Sequence, residues 1–144
     1  MKTENNIVLF LVDDDALYLK EMEIEFEQTG GFDISTFATG EKCMKGIAAN
    51  PDIIILDYML NGIDIHAMNG IETLDKIKAY NPEIAVIMLS SQDKIDIAVK
   101  CMHHKAYDYI VKSETAFLCL KKTISAILRY QKLENTLNWY IDKL

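Results

Sequence analysis

The stretch Ile53-Ile54-Ile55-Leu56-Asp57-Tyr58-Met59 decides how the chain is read. Four apolar residues run straight into a carboxylate. The run is too short for a helix and too apolar for a strand with one wet face. It reads as a central strand of a parallel sheet, buried on both sides. Asp57 then stands at the carboxyl end of that strand, where open α/β sheets keep their ligand sites. A second run, Ile7-Val8-Leu9-Phe10-Leu11-Val12, ends in Asp13-Asp14-Asp15. If the two strands are neighbours, three or four carboxylates crowd one edge of the sheet. Like charges a few ångströms apart are costly unless a cation or a proton neutralises them. The pattern therefore asks for a metal ion.

The bulk composition agrees with one globular domain. The chain has 144 residues, 50% of them hydrophobic and 26% charged, enough for one domain with a core but hardly for two. A net charge of −7 argues against direct nucleic-acid binding by this segment. No apolar run approaches the roughly 20 residues of a membrane span, and Met1 to Asn6 is too polar for a signal peptide. Cys43, Cys101 and Cys119 are scattered and odd in number, which suits packing in a reducing cytoplasm better than a disulfide framework or a zinc site.

Taken in order, the chain alternates strand and helix five times. Strand one is Ile7 to Val12. An amphipathic helix from Ala16 to Gln28 follows, with Asp15 as N-cap and apolar positions at Leu17, Met22 or Ile24, and Phe26. Gly30-Gly31 ends it. Phe32 to Phe37 alternates as an edge strand does. A second helix opens at Thr39-Gly40-Glu41 and stops at Asn50-Pro51. Strand three, Ile53 to Leu56, leads into a long loop, Met59 to about Asn69, and a helix from Gly70 to Tyr80. Ile84 to Leu89 is strand four, Lys94 to His104 helix four, and Tyr107 to Val111 strand five. The fifth helix begins after Ser113 and runs nearly to Leu144. This rhythm predicts a doubly wound parallel sheet with helices on both faces and right-handed crossovers. Asp13 and Asp14, Asp57, Ser90 and Lys112 close strands one, three, four and five, all at one sheet edge.

That set has a chemistry. Carboxylates with water suit a hard cation such as Mg²⁺. A lysine ammonium suits an anion such as phosphate, and a serine hydroxyl can hydrogen-bond the same anion. Asp57 among them can act as a nucleophile that accepts a phosphoryl group as an acyl phosphate, with cationic groups stabilising the transferred charge.

At these residues the chain resembles the response-regulator receiver domains of bacterial two-component signalling. The matching pieces are Leu11-Val12-Asp13-Asp14, Ile55-Leu56-Asp57-Tyr58-Met59, Met88-Leu89-Ser90-Ser91 and Tyr107-Asp108-Tyr109-Ile110-Val111-Lys112, within about Asn6 to Leu128. The resemblance implies a flavodoxin-like strand order 2-1-3-4-5 and a phosphoacceptor at Asp57. It implies Mg²⁺ held by Asp14, Asp57 and the Met59 carbonyl, with Asp13 acting through water. Ser90 is expected to bind the phosphoryl group, Lys112 to pair with it, and Tyr109 to be the switch aromatic that turns inward when Ser90 moves. The phosphate donor is expected to be a histidine kinase or phosphotransfer protein. The chemistry is expected to be confined to autophosphorylation and autodephosphorylation, in a signalling protein rather than a turnover enzyme. Residues 1–130 are expected to form the receiver and 131–144 a C-terminal helical extension or linker. A homodimer through the helix four–strand five–helix five face or through the C-terminal helix is a further expected partner. No output domain is expected within 144 residues, so the chain reads as a stand-alone receiver or a piece of a longer regulator.

Three departures from the family pattern stand out. Asn61 replaces a proline, and the matching glycine, Gly70, comes thirteen residues after Asp57, which implies about five inserted residues within Gly62 to Asn69. Ser113 follows Lys112 where the family usually has proline. Helix five overruns the domain, with Phe117, Leu120, Ile124 and Ile127 facing the core and Leu133, Leu137, Tyr140 and Leu144 continuing the stripe beyond it. Two other classes share parts of the pattern. Asp64-Ile65-His66-Ala67-Met68-Asn69-Gly70 is one residue too long for the Asp-x-His-x-x-Gly motif of cobalamin-binding domains and follows strand three instead of strand one. An aspartate-nucleophile phosphatase needs a second Asp two positions after Asp57, where this chain has Met59.

Overall fold

A computed structural model describes residues 6–144. The reading of the polar N-terminus rests mostly on residues outside that range. The elements are β1 (Ile7–Val12), α1 (Ala16–Thr29), β2 (Phe32–Phe37), α2 (Gly40–Lys45), a 3-10 turn (Ile47–Ala49), β3 (Ile53–Asp57), α3 (Gly70–Tyr80), β4 (Ala85–Ser90), α4 (Ile95–His103), β5 (Asp108–Val111) and α5 (Ala116–Lys143). The five strands form one sheet in the order β2-β1-β3-β4-β5, and every pairing is parallel. The doubly wound sheet and strand order are those expected from the sequence.

The apolar runs explain the sheet. Alternate residues of β3 serve opposite faces: Ile54 and Leu56 pack with Phe10, Leu74, Val86 and Met88, whereas Ile53 and Ile55 pack with Phe26, Leu89, Leu120 and Ile124. Each such fully buried side chain contributes about 1.5–3 kcal/mol, so a slip of register by one residue would cost both cores at once. β3 lies between β1 and β4, with Leu56 beside Val12 and Asp57 beside Leu89. The residues that follow Val12 and precede Tyr58 therefore share one edge.

Helix boundaries follow local chemistry. Asp15 caps α1 by accepting from the Leu17 and Tyr18 N–H groups. Met22 and Phe26 are its buried residues, whereas Leu17 is 71% exposed and Ile24 also faces solvent. The core stripe of α1 thus passes through Met22, not Ile24, and half-buried Tyr18 and Leu19 take the place expected for Leu17. The second helix is shorter than the expected run to Asn50. It ends at Gly46, and the chain tightens into a 3-10 turn closed by Asn50 in a left-handed conformation, φ 57°. Glycine is a poor helix residue and ends the stretch early. A capping box, in which Asn69 and Glu72 exchange side-chain and backbone hydrogen bonds, starts α3.

Gly70, the first residue of α3, is fixed by close approach. A Cβ there would stand 2.6 Å from the carbonyl oxygens of both Asp57 and Tyr58, and its N–H donates to the Tyr58 carbonyl at 3.0 Å. This is the position expected to match the family glycine, so the extra residues before it form a bulging loop while the end of β3 stays in place. The loop is tied at both ends: Gly62 N–H donates to Asp14 Oδ2 at 3.2 Å and Met68 N–H to Glu41 Oε2 at 2.9 Å.

α5 is a single helix of 28 residues. Leu120, Ile124 and Ile127 are buried against the sheet, but Leu133, Leu137, Tyr140 and Leu144 are all exposed. The second stripe therefore does not fold back onto the body. No helix among the described residues is long and apolar enough to cross a membrane.

Candidate functional site

The carboxyl edge of the sheet gathers charge where the fold is driest. Asp13 follows β1 and is 0% exposed; Asp57 closes β3 and is 4% exposed. One carboxylate oxygen from each of Asp13, Asp14 and Asp57 lies within 4.8 Å of the others. Their placement is dictated by neighbouring strands: Asp13 N–H continues the β1–β2 ladder to the Phe37 carbonyl, and Tyr58 N–H continues β3–β4 to the Leu89 carbonyl. Asp13 Oδ1 accepts from Asp15 N–H at 2.9 Å, and Asp57 Oδ1 from Met59 N–H at 3.4 Å.

Lys112, directly after β5, reaches back into this edge. Its Nζ is 2.8 Å from Asp13 Oδ2 and 3.5 Å from Asp57 Oδ1. Asp13 Oδ2 is buried and makes no aligned hydrogen bond, so the ammonium meets it as an ion pair off the hydrogen-bonding direction. Burial, then the neighbouring Asp13 charge, push the Asp57 carboxyl up to about 7, against the opposing pull of Lys112. Burial acts to lower the Lys112 ammonium. The close contact with Asp13 and the charges of Asp57 and Asp13 outweigh it, and Lys112 is held above its ordinary value. One lysine thus leaves the edge short of positive charge.

The remaining expected site residues sit around this cluster. Ser90 closes β4 and is buried; its Oγ accepts from Gln92 N–H at 3.0 Å, and its carbonyl accepts from Lys112 N–H at 2.8 Å. Tyr109 on β5 donates its hydroxyl to the Gln92 carbonyl. The Gln92 backbone therefore links Ser90 to Tyr109. Met59 has an exposed side chain beside the edge. The peptide after Lys112 is trans, as are all others among the described residues. His104 lies apart, paired with Asp75 at 2.8 Å, and His66 is exposed in the inserted loop.

Two participants were missed by the sequence reading. The bond from Gly62 N–H to Asp14 is a backbone contact, which composition cannot show. Tyr18 presents its ring to Lys112, with Nζ 4.5 Å from the ring centroid. Its spacing from Asp14 was the available clue, since one helical turn brings the residue back over the end of β1.

Comparison with known proteins agrees with this geometry. The family model "Response regulator receiver domain" matches residues 9–123. The chain is 32% identical over 137 residues to a cyclic di-GMP phosphodiesterase of Thermotoga maritima, covering 95% of this chain and 35% of that protein. It is 32% identical over 105 residues to the C4-dicarboxylate transport transcriptional regulatory protein DctD of Rhizobium meliloti, covering 72% and 22%. The chain thus spans about a third or less of the length of these relatives. Among solved structures, the signal receiver domain of a putative LuxO repressor protein from Vibrio parahaemolyticus superimposes with a TM-score of 0.78 at 26% identity, covering 92% of this chain and 97% of that one. With its β2-β1-β3-β4-β5 sheet, its acidic edge and a family match that spans most of its length, the chain belongs to the response regulator receiver domains.

Proposed function

We propose that this receiver accepts a phosphoryl group onto Asp57 from a histidine kinase or phosphotransfer protein, with Mg²⁺, and passes the signal on through Ser90 and Tyr109. The observation that carries the reading is the convergence of Asp13, Asp14, Asp57 and Lys112 at one buried sheet edge. In the transfer, an Asp57 carboxylate oxygen forms a bond to phosphorus. The phosphorus–nitrogen bond of the donor breaks, and its electron pair returns to the imidazole. Lys112 is placed to neutralise the developing charge. Ser90 Oγ, released from Gln92 N–H, can then bond a phosphoryl oxygen, and the same Gln92 backbone carries the change to the Tyr109 hydroxyl.

The residues fit Mg²⁺. The donors are all oxygen, and Asp13 Oδ2 is buried without an aligned donor. Asp14 and Asp57, with the Met59 carbonyl, would hold the ion directly and Asp13 through water. When bound, the ion supplies positive charge to the phosphoryl oxygens.

The phosphodiesterase and transcriptional activities of the relatives belong to proteins about three or more times longer. We assign this chain only the signalling chemistry of Asp57. Residues 1–130 are assigned to the receiver and 131–144 to an extension or linker, because burial along α5 fades after Ile127. A second copy is the expected partner of α5, through its exposed extension or through the α4–β5–α5 face, where Ile95, Val99, Met102 and Leu118 are exposed. Three free cysteines suit the cytoplasm. No observation favours the cobalamin or phosphatase readings: Asp64 is engaged in its own turn with His66 N–H, and Met59 stands where the phosphatase needs a second Asp. Acetyl phosphate with Mg²⁺ is expected to add one acid-stable, base-labile phosphate to the parent and none to Asp57→Asn. Equal labelling of the two overturns the reading.

A further inference from the structure

We propose that Tyr18 is a positioning residue for Lys112: its ring holds the ammonium against Asp13 and Asp57 and thereby sets the rate at which Asp57 is phosphorylated. The inference rests on the phosphoacceptor reading of Asp57. A lysine side chain is a flexible stem carrying a point charge, and two carboxylates alone do not fix it. The ammonium lies at unequal distances, 2.8 Å from Asp13 Oδ2 and 3.5 Å from Asp57 Oδ1, without an aligned hydrogen bond to the nearer oxygen. A third contact is the face of Tyr18, at 4.5 Å from the centroid. A ring face attracts a cation, most strongly where both are partly desolvated, and the Lys112 side chain is only 14% exposed.

The ring is itself braced. It stacks on Phe117 with centroids 5.8 Å apart and planes 18° from parallel. Phe117 belongs to the first turn of α5, and Tyr18 to the first turn of α1. Two helices from the same side of the sheet therefore close over the lysine. The Tyr18 hydroxyl is buried and has no hydrogen-bond partner. A buried unsatisfied hydroxyl is costly, so hydrogen bonding does not explain the ring's position. The stack on Phe117 and the cation beneath it do. The proposal assigns the function to the ring and none to the hydroxyl.

The test compares Tyr18→Leu, Tyr18→Met and Tyr18→Phe in the full chain. Loss of the ring is expected to slow initial labelling by acetyl phosphate with Mg²⁺ about threefold to tenfold in the Leu and Met variants. Tyr18→Phe is expected to restore the parent rate. Proton NMR of the metal-free, unphosphorylated chain supplies a readout that packing alone does not move. The Lys112 ε-methylene protons should show an upfield ring-current shift in the parent and in Tyr18→Phe, lost in Tyr18→Leu and Tyr18→Met. Should one of these two fail to fold, the other decides. Parent-like labelling in a folded ring-less variant, or no ring-current shift in the parent, overturns the proposal. A parent chain that never labels overturns the phosphoacceptor reading instead, and the NMR shift still decides whether Tyr18 holds Lys112.

Discussion

The carboxyl edge of the sheet and the far half of α5 invert the usual burial rule in opposite ways. At the edge, Asp13 and Asp57 are buried charges. Along the extension, Leu133, Leu137, Tyr140 and Leu144 are exposed apolar side chains. Both arrangements cost stability in the lone chain, one through desolvation and repulsion, the other through unburied surface. The difference lies in what would relieve each cost. The edge needs positive charge, which a small ion supplies. The extension needs apolar area, which only another macromolecular surface supplies. Different partners would therefore relieve the two regions, and they can be broken separately.

The largest expected effect is at the edge. In the folded chain the Asp57 carboxyl titrates at about 7, well above its ordinary 3.8. The folded state therefore holds a proton that the unfolded chain has already released, so stability falls as pH rises from about 4 to about 7. Above that window the charged group costs at most about 4 kcal/mol. Without divalent ions, Asp57→Asn should raise the unfolding midpoint clearly at pH 8 and hardly at pH 4. Equal gains at both pH values would show that charge burial is not the cause.

Mg²⁺ should relieve the same strain. At a hundredfold excess over its Kd, a ligand bound only by the folded state adds about 2.7 kcal/mol. Asp14→Ala should remove most of the Mg²⁺-induced rise in melting temperature. An unchanged response would place the ion elsewhere. Gly70→Ala comes next, at about 2 kcal/mol of destabilisation in urea titrations: the added methyl meets the backbone of Asp57 and Tyr58, which cannot swing aside. A neutral result would mean that α3 shifts freely against β3.

The smallest effect on the monomer belongs to the extension. Leu137→Asp touches no core and should change unfolding free energy by less than about 0.5 kcal/mol. Sedimentation equilibrium should nevertheless show it weakening self-association of the parent. A parent that stays monomeric at high concentration, with and without beryllofluoride, would remove the second copy as the partner of α5.

Much of this contrast was legible in the residues. The bounds of β1 and β2 agree with the sequence reading, and β3 is one residue longer at Asp57, because unbroken apolar runs and alternating patterns leave little choice of register. The second stripe of α5 was visible as apolar residues, Leu133, Leu137, Tyr140 and Leu144, running past the domain, where no core lies to bury them. The failures are local. α2 stops at Gly46 because a single weak helix residue decides a short helix. In α1, Leu17 and Tyr18 are adjacent, and periodicity alone cannot say which of them turns inward. That ambiguity hid Tyr18, whose ring is apolar enough for the core and close enough to Lys112 for the site. The ties of the inserted loop to Asp14 and Glu41 use backbone N–H groups, which every non-proline residue carries.

The central claim is that the buried charge at the sheet edge serves phosphoryl transfer to one carboxylate. The most direct test is to phosphorylate the parent chain with acetyl phosphate and Mg²⁺, reduce the acyl phosphate with borohydride, and map the peptides by mass spectrometry. The account predicts homoserine at position 57 and at no other aspartate. Homoserine at position 13 or 14, or phosphate recovered on a histidine with position 57 unmodified, would contradict it.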